Sequence, residues 1–194
     1  MPKSCQDTSL PVFITVAAEQ HPHSDTGSFT DDGCPVVDQA ERQSLLDAGA
    51  VLFGKTNMPA HGMDTQTYNE LFGQTNNPWN PERTPGGSSG GAAAAVAAGL
   101  TGLEIGNDIG GSIRLPAHFC GIYGHKSSFG LVSMFGPKPW ESSHPGYAAD
   151  VDLVVNGPLA RSADDLELVM DLVTGPPRAI CSRNNGTTDP DDPK

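Results

Sequence analysis

Apolar and polar positions alternate in blocks along this chain, and the blocks predict strands and helices in turn. Val12-Phe13-Ile14-Thr15-Val16 is a short apolar run that predicts a strand inside an otherwise irregular N-terminal segment. From Pro35 to Ala48 the pattern becomes helical. Val37, Ala40, Ser44 and Ala48 share one face, and Gly49 is placed as a C-terminal stop. Ala50-Val51-Leu52-Phe53 is apolar throughout, as in a strand buried on both faces. Thr56 to Pro85 has little periodicity. Pro78, Pro81 and Pro85 interrupt any regular element there, so an ordered loop with at most one helical turn is expected.

Ser88 to Gly99 predicts a buried helix of small residues, and Leu103 to Gly106 a second short strand. Ser133 to Asp152 is rich in Pro and Gly and reads as loop. Ser162-Ala163-Asp164-Asp165 is a helix start, with an acid three residues after a capping serine. Leu166, Val169, Met170 and Val173 then line one face until Gly175-Pro176-Pro177. From Arg178 onward the polar, Pro-containing sequence predicts a disordered tail. Helical and strand patterns that alternate in this way predict an α/β fold.

Composition narrows the function classes. The formal net charge is -12 and no basic stripe is visible, so nucleic-acid binding lacks its electrostatic footprint. Cys5, Cys34, Cys120 and Cys181 are widely spaced, which suggests neither a disulfide framework nor a zinc site. His118, His125 and His144 share no ligand spacing. Ala92 to Leu103, the longest apolar run, is too short to span a bilayer, and the N-terminus lacks a signal layout. A cytoplasmic protein that touches no membrane is expected. Asn185-Gly186-Thr187 matches a glycosylation sequon, which carries no weight without a secretory signal.

The chemistry concentrates between Arg83 and Arg114. Two glycine-wrapped serine turns, Gly86-Gly87-Ser88-Ser89-Gly90-Gly91 and Gly110-Gly111-Ser112, flank the alanine-rich segment. Glycine allows a backbone to turn tightly and to approach a ligand. Two such turns can bring serine hydroxyls together for nucleophilic chemistry. Two other motifs are decoys. Gly49 to Thr56 matches a phosphate-binding loop letter for letter, but its interior is an apolar strand. Gly86 to Gly90 also reads as GxSxG, yet Asn80 to Pro85 cannot supply the strand that a nucleophile elbow needs.

The stretch resembles the amidase signature family, with its GGSSGG turn and its (D/N)-I-G-G-S-I-R turn, here Asp108 to Arg114. Gly54-Lys55-Thr56-Asn57-Met58-Pro59, Leu71 to Trp79, Pro116 to Lys126 and Gly157 to Ser162 match further family motifs in the same order. The resemblance runs from about Asp38 to Gly175 and implies an α/β fold, a mixed β-sheet core flanked by helices, of which this chain holds an incomplete part. The domain division it suggests is a poorly matching segment over residues 1–34, a partial amidase domain over 35–177 and a tail over 178–194.

It also implies hydrolysis of a carboxamide through an acyl-serine, with no metal or organic cofactor. Ser112 would be the nucleophile and Ser88, 24 positions earlier, the bridging serine after a cis Gly87–Ser88 bond. The main-chain N–H groups of Ile109, Gly110, Gly111 and Ser112 would face the oxyanion. Ser89, Asp108, Arg83 and Arg114 would support the turns, the charged three as paired groups. The expected partner is a small-molecule amide, with a homodimer allowed.

The departure from the family lies at the base. The family's lysine sits in a Pro-x-x-x-Lys-Asp segment, and the best match, Leu10 to Ala18, contains none. The chain's lysines are Lys3, Lys55, Lys126, Lys138 and Lys194, and none fits that place. A truncated or divergent member with impaired activity is expected. A glutaminase-type subunit of a tRNA-dependent amidotransferase and an inactive pseudo-amidase fragment are the alternatives.

Overall fold

The fold is taken from a computed structural model, which describes residues 13–17, 44–132 and 153–174. Its centre is a sheet of five strands in the order β2-β1-β5-β7-β6. The strands are β1 (Phe13–Ala17), β2 (Val51–Thr56), β5 (Leu103–Asp108), β6 (Tyr123–Gly124) and β7 (Val155–Ala160). β1 runs parallel to both β2 and β5, whereas β7 is antiparallel to β5 and to β6. The sheet is therefore mixed, as expected. β3 (Tyr68–Asn69) and β4 (Gly73–Gln74) form a separate hairpin.

Side chains of a strand alternate between faces, so the register sorts the core into two layers. Leu103, Ile105 and Ala160 face one side, where they pack with Leu45 and with Val169 and Val173 of helix α3 (Ala163–Val173). Leu159 faces the other side and packs with Ala92 and Ala93 of α1 (Gly90–Ala97) and with Ile113, Ala117 and Cys120 at α2 (Arg114–Cys120). Helices thus cover both faces. No helix among the described residues is long and apolar enough to cross a membrane.

Several elements depart from the sequence pattern. Of the helix expected over Pro35 to Ala48, residues 44–47 are helical and the earlier part lies outside the described residues. Leu45 and Ser44 are the buried positions, whereas Ala48 is exposed, because the helical turn is already ending there. β2 continues through Gly54-Lys55-Thr56, so Val51 to Thr56 of the phosphate-loop pattern are strand. The hairpin β3–β4 arises inside the expected loop. The Asn69 side chain accepts from the N–H groups of Leu71 and Phe72 and turns the chain back.

β7 carries Gly157 and Pro158, which argue against a strand in sequence. All six of its residues are nevertheless buried between β5 and β6. α3 begins as expected, with the Ser162 hydroxyl accepting from the Asp165 N–H and donating to its carboxylate. The predicted Ser133–Asp152 loop and the tail after residue 177 lie outside the described residues.

Candidate active site

The first serine turn leaves the loop after β4 and opens α1. The glycines there are demanded by contact. A Cβ on Gly87 would collide with the Asp64 carbonyl oxygen, and one on Gly91 with the Asn57 carbonyl oxygen. The Gly91 N–H donates to that same Asn57 oxygen at 3.1 Å, which ties α1 to the chain just after β2. Asn57 in turn is bonded to Thr75 and Asn69. The Thr67 hydroxyl donates to the Gly86 carbonyl at 2.9 Å. The peptide bond between Gly87 and Ser88 is cis, and Ser88 and Ser89 are both 1% exposed.

The second turn follows β5. Asp108, the last residue of that strand, is fully buried, and its carboxylate organises everything after it. One oxygen accepts from the Gly111 N–H at 2.8 Å and from Arg114 Nη2 at 2.9 Å. The other accepts from the Ile113 N–H, the Arg114 N–H and Arg114 Nε. Burial alone would push this carboxyl up. The Arg114 guanidinium and the N–H groups of Ile113, Gly111 and Arg114 outweigh burial and hold it below the ordinary carboxylate range. The same pairing raises the Arg114 guanidinium further. Gly111 adopts φ +123°, a conformation that favours glycine.

The two turns meet. The Ser89 N–H donates to the Ser112 carbonyl oxygen at 3.1 Å, so the main chain of one serine turn is bonded to that of the other. Ser112 is half-buried at the surface of this junction, and Ile109 and Gly110 are exposed beside it. The loop from Asn77 to Arg83 holds the assembly from below. The Asn77 amide donates to the Thr84 and Phe119 carbonyls, and Trp79 Nε1 donates to the Cys120 carbonyl at 2.6 Å. These bonds fasten the segment before the first turn to the end of α2. Apart from the motif itself, no local signal in the sequence pointed to them.

Two expectations need correction. The Gly111 N–H does not face an oxyanion, because it already donates to Asp108. The N–H groups of Ile109, Gly110 and Ser112 make no hydrogen bond to a described residue. A Cβ at Gly110 would meet nothing within 4 Å, so the main chain there borders open space. Arg83 is exposed and forms no ion pair with a described acid, so it is not a charge-paired support. Its main chain closes the Asn77–Asn80 turn instead, since its N–H donates to the Asn80 carbonyl and its carbonyl accepts from Asn77. Asp108 and Arg114 are paired, and they act on the turn through its backbone.

At the place of the base, the fourth residue after Pro11 is Thr15, in β1. Register sets Thr15 level with Gly54 of β2 and with Glu104 of β5. The arrangement offers a half-buried serine, a second serine turn bonded directly to its own and free N–H groups around the first, which suits attack on a carbonyl carbon.

Comparison with known proteins agrees with this geometry. The family model described as Amidase matches residues 32–191. The A subunit of glutamyl-tRNA(Gln) amidotransferase from Thermus thermophilus is 50% identical over 177 residues, covering 88% of this chain and 36% of the relative. Its counterpart in Sulfolobus acidocaldarius is 44% identical over 145 residues, covering 75% of this chain and 29% of the relative. Among solved structures, 6-aminohexanoate cyclic dimer hydrolase complexed with substrate superposes with a TM-score of 0.66 at 34% identity, covering 85% of this chain and 34% of that one. The A subunit of the Thermotoga maritima glutamyl-tRNA(Gln) amidotransferase gives 0.66 at 31% identity, covering 85% and 35%. The chain therefore spans about a third of the length of these relatives. With two bonded serine turns in the matched segment and the family model covering most of its residues, the chain belongs to the amidase family.

Proposed function

We propose that this chain carries the nucleophile half of a hydrolase that cleaves a carboxamide C–N bond through an acyl-serine on Ser112. One observation carries the reading. The Ser89 N–H to Ser112 carbonyl bond holds the two serine turns together, over a loop whose N–H groups at Ile109, Gly110 and Ser112 are not engaged by described residues. In the reaction the Ser112 oxygen attacks the carbonyl carbon, and its proton is relayed through the Ser88 hydroxyl, which accepts it and gives up its own, to the leaving nitrogen. The oxyanion is met by the N–H groups of Ile109, Gly110 and Ser112, each such donor being worth about 3 kcal/mol in the transition state. Breakdown cleaves the C–N bond and releases the protonated nitrogen as the amine; water then adds to the acyl carbon, and one of its protons returns through Ser88 to the Ser112 oxygen as the acid leaves.

The proton acceptor beyond Ser88 is the weak member, since Thr15 stands at the lysine spacing. Basal turnover is therefore low in this proposal. The segment 35–177 is the hydrolytic part, and a cytosolic location goes with it. The test is labelling with a fluorophosphonate probe together with hydrolysis of a simple aryl amide. Labelling should map to Ser112 and vanish in Ser112→Ala. Thr15→Lys should raise the hydrolysis rate about 100- to 10,000-fold, the range for a positioned general base. Absence of Ser112 labelling in both the parent and the Thr15→Lys protein would overturn the proposal.

A second reading is a glutaminase-type subunit of a tRNA-dependent amidotransferase. The names and the 44–50% identity of the relatives above favour it. The expectation of no nucleic-acid partner, drawn from net charge alone, does not carry over to this reading. Co-purification of partner subunits, with glutamine hydrolysis only in their presence, would select it.

A further inference from the structure

In the relay described above Ser88 must stand within reach of Ser112, and the groups that fix its place lie in the loop just before β3. The segment from Gly62 to Thr67 runs along the first serine turn. A Cβ on Gly62 would lie 3.8 Å from Ser88 Oγ, and one on Gly87 would meet Thr65 as well as the Asp64 carbonyl. Thr67 ends this segment and is 0% exposed. Its hydroxyl donates to the Gly86 carbonyl and also fills the space beside Gly90. A Cβ on Gly90 would stand 2.1 Å from Thr67 Oγ1 and 2.9 Å from Thr67 Cβ. One side chain therefore touches both residues that bracket Gly87-Ser88-Ser89.

Thr67 is itself held. The Gln66 N–H donates to the Asp64 carboxylate at 3.0 Å, which bends the chain just before Thr67. The Thr67 carbonyl accepts from the Thr75 N–H at 2.9 Å, and Thr75 Oγ1 accepts from the Asn57 amide at 3.0 Å. Asn57 also receives the Gly91 N–H through its carbonyl. The turn is thus gripped at Gly86, Gly90 and Gly91 by groups that share one network, and Thr67 is the member that reaches its start. Such a grip is needed from outside. Glycine is conformationally permissive, so a turn with Gly86, Gly87, Gly90 and Gly91 has little preferred span of its own.

We propose that Thr67 is a positioning residue for the serine relay: its hydroxyl, bonded to Gly86 and packed against Gly90, sets the span of the turn and so the distance at which Ser88 meets Ser112. Thr67 touches neither the substrate nor the reacting atoms. Its role rests on the acyl-serine reading above and adds to it a residue that lies outside both serine turns. A displacement of about 1 Å at a reacting group can cost about 100-fold in rate, so one buried hydrogen bond at the start of the turn has leverage on the chemistry.

Labelling of Ser112 by a fluorophosphonate reads this role. In that reaction the Ser112 oxygen bonds to phosphorus, fluoride leaves, and the Ser112 proton passes through the Ser88 hydroxyl to water. Thr67→Val keeps the shape and removes the donor, and should lower the limiting labelling rate about 10- to 100-fold. The probe's half-saturating concentration should stay within about twofold, because Thr67 is buried whereas Ile109 and Gly110 beside Ser112 are exposed. Thr67→Ser keeps the hydroxyl and should label within about threefold of the parent, with Thr67→Cys, a weaker donor, between Ser and Val. Val169→Ala, buried on the far face of the sheet, should lower stability and leave the limiting rate unchanged. If Thr67→Val does not fold, the order of Ser above Cys decides alone. An unlabelled parent removes the hydrolytic reading and this role with it. With a labelled parent, the role of Thr67 alone is overturned if Thr67→Val matches the parent's limiting rate, if the loss lies wholly in the half-saturating concentration, or if Thr67→Ser is as slow as Thr67→Val or Thr67→Cys.

Discussion

Removing the Asp108 carboxylate should loosen the nucleophile turn more than removing its charged partner does. The carboxylate is fully buried and accepts from three main-chain N–H groups and two guanidinium nitrogens, whereas the Arg114 side chain is 53% exposed. An ion pair with one exposed member contributes at most about 1 kcal/mol, so Arg114→Met should cost about that much. Asp108→Ala leaves the Gly111 and Ile113 N–H groups without acceptors. Each such orphan costs about 1–3 kcal/mol, and the total should reach about 3–5 kcal/mol. Asp108→Asn keeps one acceptor oxygen, and its best orientation turns the amide towards Gly111 and Arg114 Nη2. One orphaned N–H and weaker neutral bonds put it near ~3 kcal/mol.

Urea unfolding of the three variants reads these values directly. The pH dependence adds a second check. The folded Asp108 carboxyl titrates below its ordinary 3.8, so its contribution is complete above that value and fades as pH falls through the lower, folded one. The gap between parent and Asp108→Asn should therefore be constant from about pH 5 to 8 and shrink only below about pH 4. If Arg114→Met costs as much as Asp108→Ala, the ion pair rather than the backbone cradle holds the turn, and the reasoning fails.

Three further outcomes follow from packing. Gly91→Ala should destabilise by about 3 kcal/mol or prevent folding, since the added methyl meets the Asn57 carbonyl, which belongs to the main chain and cannot swing away; urea midpoints or limited proteolysis will show it. Leu159→Ala, at a fully buried position between β5 and α1, should cost about 2–5 kcal/mol in the same assay. Burial pushes the Cys120 thiol up to about 11, so a thiol reagent at about pH 8 should leave Cys120 unmodified in the native protein and modify it once denaturant is added. Rapid native modification would contradict its burial against Pro85 and α1.

The two-serine layout was legible in the chain because it is written in residue types. Glycines 86, 87, 90 and 91 and the small residues up to Ala97 announce a tight turn entering a close-packed helix, and that is where α1 lies. The α3 start was legible for the same reason, since a cap and an apolar stripe are local signals. Long-range pairing decided the rest. β7 is a strand only because β5 and β6 flank it, a circumstance that overrides Gly157 and Pro158 and leaves no local trace. Which N–H groups of the second turn stay available was likewise set in three dimensions, when the buried Asp108 carboxylate claimed Gly111 and Ile113 and left Ile109 and Gly110. Sequence determined which groups this protein has for its chemistry. Burial and register, which depend on residues far apart in the chain, decided which of them face the same space.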